Sequence, residues 1–150
     1  MRIKITLIAA LVIAGALFVH FQFQKAPRIV HAQSGCDVTS LNGVFGYTLA
    51  GFYFDNAGNT NFFSSSGRFL ADGQGNVAGS ESDSFSGQIV RADPYTGSYT
   101  VNSDCTGSLT TVSKSSGTAN YDFVLVNGRN QIQMVETDGG TNVSGQASRQ

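Results

Sequence analysis

Histidine is scarce in this sequence, and its positions narrow the chemistry that the protein can perform. The chain has two histidines, His20 and His31, and both lie in an N-terminal stretch that we expect to be removed after Ala32. The remaining chain then has no histidine, which excludes a Ser-His-Asp or Cys-His catalytic group and any zinc or haem bound through histidine. We therefore predict no catalytic residue, no metal site and no cofactor, and we expect a protein that is not an enzyme.

Basic residues are also few, and the charge after residue 32 is mostly negative. The whole sequence has 9 Lys or Arg and 10 Asp or Glu. Four of the basic residues and none of the acidic ones lie in the first 32 positions, namely Arg2, Lys4, Lys25 and Arg28. Subtracting them leaves 5 basic and 10 acidic residues, a net charge of −5. Such a chain lacks the basic surface that binds nucleic acid or anionic lipid.

The N-terminus has the layout of a secretory signal. Basic residues precede the uncharged residues 5–19, and small or apolar residues stand at Val30 and Ala32, before the expected cut. This pattern predicts a signal peptide over residues 1–32 and a single domain over residues 33–150, in a protein that is secreted or held in the periplasm or cell envelope. The apolar run lies about a dozen residues before the cut, so an uncleaved anchor and, less favoured, lipid attachment at Cys36 remain alternatives.

The sequence has two cysteines, Cys36 and Cys105. Two cysteines allow one intramolecular pairing, and secretion would place them where disulfides form. We predict a Cys36–Cys105 disulfide that ties the start of the domain to its middle and stabilises it by roughly 4 kcal/mol. A reactive thiol is the alternative, although no neighbouring lysine or histidine would lower its pKa.

Alternating residues and turn signals dominate the chain after residue 33 and predict β-structure throughout. The predicted strands cover residues 41–54, 66–72, 77–87, 88–93, 96–102, 106–114, 120–127, 130–137 and 141–149. Pro94 is expected to end the fourth of these strands, because proline donates no hydrogen bond to a sheet. Roughly eight or nine short strands with tight turns predict an all-β fold, a single antiparallel up-and-down barrel of about eight strands. A β-sandwich is the alternative.

Several motifs resemble an uncharacterised family of small secreted bacterial β-barrel proteins. The similarity covers most of residues 36–150 and is carried by LNGVFGY, GRFLADGQGN, GSYTVNSDCTGSLT, FVLVNG and the closing TDGGTNVSGQASRQ. It implies a secreted β-barrel and no particular activity or site. The glycine-spaced hairpins are also similar in architecture to lipocalin, avidin and allene-oxide-cyclase-like barrels. The chain has no tryptophan, so neither the lipocalin Gly-x-Trp signature nor the tryptophan-lined site of avidin applies.

Two pairs of acidic residues are candidates for acid–base chemistry, Glu81 with Asp83 and Glu136 with Asp138. Each pair lies about 7 Å apart along one strand face, a separation that glycosidases also use. We expect these acids to face solvent near strand ends, with Asp138 opening a turn. A carboxylate-based enzyme is the minor alternative, and Glu136 is then the candidate acid. Residues 55–61 are expected to form an Asn/Gly turn, with a weak Ca²⁺ site as the alternative.

Aromatic residues supply most of the expected interior. Alternation turns five of them inward, namely Tyr47, Phe69, Tyr99, Tyr121 and Phe123. They either fill the core or line a site for one small apolar or amphipathic ligand. Four further phenylalanines flank the 55–61 loop and either plug one end of the barrel or form an exposed rim: Phe52, Phe54, Phe62 and Phe63. The favoured function is a non-enzymatic ligand-binding barrel; the alternative is a structural or interaction protein of the cell envelope with a packed barrel.

Overall fold

The computed structural model describes residues 35–150, which fold into a closed antiparallel barrel of eight strands. The strands are β1 (Asn42–Phe54), β2 (Thr60–Asp72), β3 (Asn76–Phe85), β4 (Gln88–Val101), β5 (Thr106–Ser113), β6 (Gly117–Val126), β7 (Gln131–Glu136) and β8 (Thr141–Arg149). Short 3₁₀ turns, η1 (Val38–Ser40) and η2 (Asn127–Arg129), precede β1 and β7. Each strand pairs with the next along the chain, so the fold is an up-and-down meander.

The barrel closes because β8 returns to β1. Tyr47 lies opposite Ala147 on β8 and opposite Gly67 on β2, so β1 is paired on both sides. Closure leaves the sheet no free edge, which suits strands that carry few charges to block edge pairing. The predicted barrel is thereby confirmed, and the β-sandwich alternative is wrong.

The prediction of a strand that ends at Pro94 is wrong, because β4 runs through this residue. Pro94 lies opposite Ser80 on β3, but β4 meets β5 only from Tyr95 onward. The missing N–H of Pro94 therefore falls where β4 is paired on one side only, a position that tolerates proline. A bulge just before it, at Ala92 with a φ of 52°, adds one residue to β4 relative to β3.

The two ends of the barrel differ. One end carries the turns 73–75, 102–105 and 127–130 and is covered by η1. We call it the capped end. The predicted Cys36–Cys105 disulfide is present there and is confirmed, with its Cα atoms 5.0 Å apart. Tyr99 completes the cap, because its hydroxyl donates to the carbonyl oxygens of Leu41 (2.6 Å) and Val38 (3.1 Å).

The opposite end, with the loops 55–59, 86–87, 114–116 and 137–140, is here called the acidic end. The carboxylates described below lie on the inner face of the half of the barrel next to it.

The predicted signal peptide, its cleavage site and the alternative anchor lie outside the described residues. Within residues 35–150, no helix is long and apolar enough to cross a membrane.

Candidate functional site

A small cavity lies near the middle of the barrel interior. Its volume of about 20 Å³ is space for about one water molecule. The lining combines apolar side chains with three tyrosines, a threonine and a carboxylate. The lining residues are Tyr47, Leu49, Phe69, Glu81, Tyr95, Leu109, Thr111, Tyr121 and Met134.

Glycines on neighbouring strands make room for the tyrosine rings. Gly67 lies opposite Tyr47, and Gly79 lies opposite Tyr95. A Cβ atom added at Gly67 would lie 2.8 Å from the Tyr47 hydroxyl, and one at Gly79 would lie 2.8 Å from that of Tyr95. Each ring therefore packs directly over a strand backbone, and larger residues at either glycine would push it away.

A hydrogen bond joins the first tyrosine to the carboxylate of the cavity. The Tyr47 hydroxyl donates to Glu81 Oε2 at 2.6 Å, while the Ser65 hydroxyl reaches the same oxygen at 3.4 Å. Burial raises the pKa of Glu81, and the hydrogen bond from Tyr47 opposes this rise. Burial also raises the pKa of Tyr47 and of Tyr95 above 10.0, so both hydroxyls stay protonated at neutral pH. The two rings contact edge to face with centroids 6.4 Å apart.

Asp83 lies two residues further along the same inner face. Its side chain is only 2% exposed, and neither carboxylate oxygen has a hydrogen-bond partner. Burial raises the pKa of Asp83, and the nearby Ser65 hydroxyl only partly opposes the effect. The expectation that Glu81 and Asp83 face solvent is therefore wrong. They continue the inward alternation of β3 from Val77, because the strand extends further into the barrel than its polar sequence indicates.

A third acid, Asp93, reaches the interior through the bulge in β4. The extra residue at Ala92 allows both Val90 and Asp93 to face inward, opposite Asp83 and Glu81 respectively. Asp93 is 8% exposed and, unlike Asp83, is satisfied: the backbone N–H of Ser115 donates to it at 3.1 Å, and so does the Ser115 hydroxyl. The hydrogen bond from the Ser115 side chain is the main cause that lowers the pKa of Asp93.

Glu136 also lies on the inner face, opposite Tyr121 of β6. Burial raises the pKa of Glu136, and the charge of Asp138 adds to the rise. Asp138 itself lies in the turn before β8, as expected, and accepts hydrogen bonds from the Asn120 backbone and side chain at 2.8 Å each. The expectation that Glu136 faces solvent is therefore wrong. Its side chain is half-buried and belongs to the acidic half of the interior.

The predicted ligand-binding aromatics divide into two groups. Tyr47, Phe69 and Tyr121 line the cavity, whereas Tyr99 and Phe123 are buried elsewhere in the core. The hydroxyl of Tyr99 is hydrogen-bonded to Leu41 at the capped end, and the ring of Phe123 packs over Gly107.

Sequence reasoning missed Glu81 and Tyr95 as cavity residues. The alternation of β3 carried the signal for Glu81. Tyr95 was hidden by the strand break expected at Pro94.

The four phenylalanines beside the 55–59 loop also divide. Phe63 is half-buried and packs on Phe85 with ring centroids 5.3 Å apart, so it helps to plug the acidic end. Phe54 and Phe62 lie on the outer face, 51% and 70% exposed, and Phe52 contacts Phe54 there. The reason is that β2 begins at Thr60, so Phe62 and Phe63 point to opposite faces of a strand.

The loop 55–59 is an Asx-type turn held by Asp55. One carboxylate oxygen of Asp55 accepts hydrogen bonds from the backbone N–H groups of Ala57 and Asn59, both at 2.9 Å. The other accepts one from the Asn59 side chain at 2.9 Å. Within residues 35–150, no three acidic, cysteine or histidine side chains are grouped closely enough to hold a metal ion.

Comparison with known proteins places the chain by fold alone. No protein-family model matches the sequence, and no curated protein is similar to it. A redesigned β-barrel, mFAP1, bound to DFHBI has a TM-score of 0.53 and 17% identity, over 75% of this chain and 97% of that one. A second redesigned β-barrel has a TM-score of 0.49 and 18% identity, over 79% of this chain and 99% of that one. The chain thus shares the barrel architecture of designed proteins, and its resemblance to a secreted bacterial family stays a prediction.

Proposed function

We propose that this barrel is a secreted or cell-envelope protein without enzymatic activity that binds one small amphipathic ligand in its interior. The cavity carries the proposal, because its lining combines apolar side chains with a few polar groups. Phe69 and Met134 offer apolar contact, while Glu81 and its partner Tyr47 offer a charged acceptor beside a hydroxyl. Ligand sites in proteins combine such an apolar lining with a few placed polar groups.

The narrow cavity indicates a slender ligand. A group of about the size of one water molecule fits beside Glu81 as the interior stands. Towards the acidic end, the inward residues of β5 and β6 are short and half-buried, namely Thr111 and, opposite it, Ala119. We expect the body of the ligand to lie along these residues and to displace Leu109, which is also half-buried.

Two further observations support the proposal. The redesigned barrel mFAP1 was solved with DFHBI bound, so a β-barrel of related architecture holds a small molecule. The Cys36–Cys105 disulfide is typical of an oxidising compartment, which supports a secreted or cell-envelope location.

The second candidate is an interaction protein that works through its outer surface. The outer-face side chains of Phe54 and Phe62, at 51% and 70% exposed, favour this function. A carboxylate-based enzyme is the third candidate, because such an enzyme needs an acid with a raised pKa and burial raises the pKa of both Glu81 and Glu136. A sugar ring is wider than a slender ligand and would have to displace more of the lining than Leu109, so we do not favour a glycosidase.

Native mass spectrometry of the purified protein with its disulfide intact tests the proposal. We expect a non-covalent adduct that is lost on denaturation. The variant Thr111→Leu, which fills the approach to the cavity, should lose it. The matched variant Thr96→Leu, on the exposed outer face of β4, should retain it. An adduct that survives in Thr111→Leu, or no adduct in any of the three proteins, would instead favour the surface-interaction function.

A further inference from the structure

The acidic half of the barrel interior carries negative charge that no inward basic group offsets. Four carboxylates lie on its inner face: Glu81, Asp83, Asp93 and Glu136. None of the five basic residues in the described chain lies on the inner face, although the charge of Lys114, in the turn 114–116, adds to the effect of Ser115 in lowering the pKa of Asp93. Four are exposed, and Arg129 belongs to η2 at the capped end; the exposed ones are Arg68, Arg91, Lys114 and Arg149. The local field therefore favours a positive ligand and disfavours an anion.

The fold does not provide the carboxylate of Asp83 with the hydrogen bonds that a buried carboxylate normally has. A buried carboxylate is normally held by hydrogen bonds or a counter-ion, because desolvation of an unpaired charge is costly. Asp93 meets this rule through Ser115, but neither oxygen of the 2% exposed Asp83 has a well-formed hydrogen bond, although the Ser65 hydroxyl is near enough to lower its pKa in part. Asp83 lies beside Glu81, whose carboxylate lines the cavity. Glu81 already accepts a hydrogen bond from Tyr47, so the unpartnered oxygens of the pair are those of Asp83, and a cation beside Glu81 would offset the charge of both acids.

The tyrosines favour the same kind of ligand. An ammonium group beside Glu81 would donate N–H groups to the carboxylate and lie close to the aromatic rings of Tyr47, Tyr95 and Tyr121. Rings of this kind attract cations through their electron-rich faces, and the attraction grows where water is excluded. A metal ion suits the site less well, since the described residues contain no group of three metal ligands.

Resting on the ligand-binding function proposed above, we infer that the interior site selects ligands that carry a protonated amine on a slender apolar chain. The ammonium group lies against Glu81 and the tyrosine rings, and Asp83 strengthens the field that holds it. The apolar chain extends past Leu109 and Thr111 towards the acidic end. The hydroxyl of Tyr47 keeps the Glu81 carboxylate oriented by its 2.6 Å hydrogen bond.

The sequence supplies a reporter for this test. Only two methionines occur, Met1 and Met134, and Met134 lines the cavity. In protein labelled at the methionine methyl groups with carbon-13, the Met134 signal is titrated with three probes of one size: n-butylammonium, 1-butanol and butyrate. We expect n-butylammonium to shift the signal with at least a tenfold lower Kd than 1-butanol, and butyrate to leave it unchanged.

Variants separate the charge from the cavity. Glu81→Gln and Asp83→Asn should reduce the preference for n-butylammonium over 1-butanol at least threefold. Asp122→Asn, an exposed acid on the outer face of β6, should not change it. Methyl and amide spectra of each variant verify the fold.

The outcomes distinguish the two proposals. Equal shifts with n-butylammonium and 1-butanol would overturn the amine selectivity and leave the interior site standing. If no probe moves the Met134 signal, the interior site itself fails and the amine selectivity falls with it. A preference for n-butylammonium that persists in both Glu81→Gln and Asp83→Asn would also overturn the inference, because the charge would then come from elsewhere.

Discussion

Removing the disulfide between Cys36 and Cys105 is expected to destabilise the barrel by about 4 kcal/mol. The two residues are separated by 69 positions, so the bridge closes a loop that spans more than half of the described chain. The chain-entropy relation gives an unfolded-state entropy loss of about 15 cal/mol/K for such a loop, or about 4 kcal/mol at room temperature. The perturbation is the double variant Cys36→Ser/Cys105→Ser, which leaves no unpaired thiol.

Local contacts at the capped end remain when the bridge is removed. The Cys36 N–H donates to the Ser103 carbonyl at 3.1 Å, and the Tyr99 hydroxyl donates to Leu41 at 2.6 Å. If the segment before β1 stays in place, the loss is close to the chain-entropy value. If it detaches, each lost hydrogen bond adds about 1 kcal/mol.

Urea unfolding followed by circular dichroism measures the effect. The double variant should have a lower midpoint and a steeper dependence on urea, because its unfolded chain is less compact. Wild type reduced before unfolding should match the variant, and Thr96→Ser on the outer face should match oxidised wild type. A loss below about 1 kcal/mol would refute the reasoning, because the loop-closure entropy would then be absent or offset by strain.

Three further variants test the interior and the cap. Burial raises the pKa of Asp83 above 3.8, so the wild-type protein should lose stability as the pH rises through the raised pKa. Asp83→Asn should therefore be about 1–3 kcal/mol more stable than wild type at pH 8. Urea midpoints of the two proteins that run parallel from pH 4 to 8 would contradict this. Gly67→Ala should lower the stability measured by thermal unfolding by about 1–3 kcal/mol, because the added Cβ would lie 2.5 Å from a backbone carbonyl oxygen and would press on Tyr47. Gly139→Ala is the control, because its Cβ would meet open space. Tyr99→Phe removes the donor to Leu41 and should cost about 1–2 kcal/mol in urea, and an unchanged midpoint would show that the cap does not depend on it.

The strand alternation allowed much of the barrel to be predicted. Tyr47, Phe69 and Tyr121 were expected to face inward, and all three do so and line one cavity. The up-and-down order followed from turns too short for crossovers, and the disulfide followed from the count of cysteines. These features depend on local periodicity and on simple counting, which a single sequence displays directly.

The acidic half of the interior could not be predicted in the same way. Glu81 and Asp83 share the inward parity of Val77, but carboxylates are so often exposed that their residue type predicts the outer face instead. Asp93 and Tyr95 reach the interior only because a bulge at Ala92 shifts the alternation of β4 by one residue. A bulge of this kind is set by pairing with the neighbouring strand, which the sequence of β4 alone does not show.

The seam between β1 and β8 determines how this molecule can be attached to a support. The backbone N–H of Gln150 donates to the Val44 carbonyl at 3.0 Å, at the capped end where Cys36 also lies. A flexible tether placed after Gln150 would therefore leave from the end of the barrel opposite Thr111 and Glu136. Coupled to a sensor surface in this way, the molecule would be held by its capped end, and the acidic end would stay uncovered.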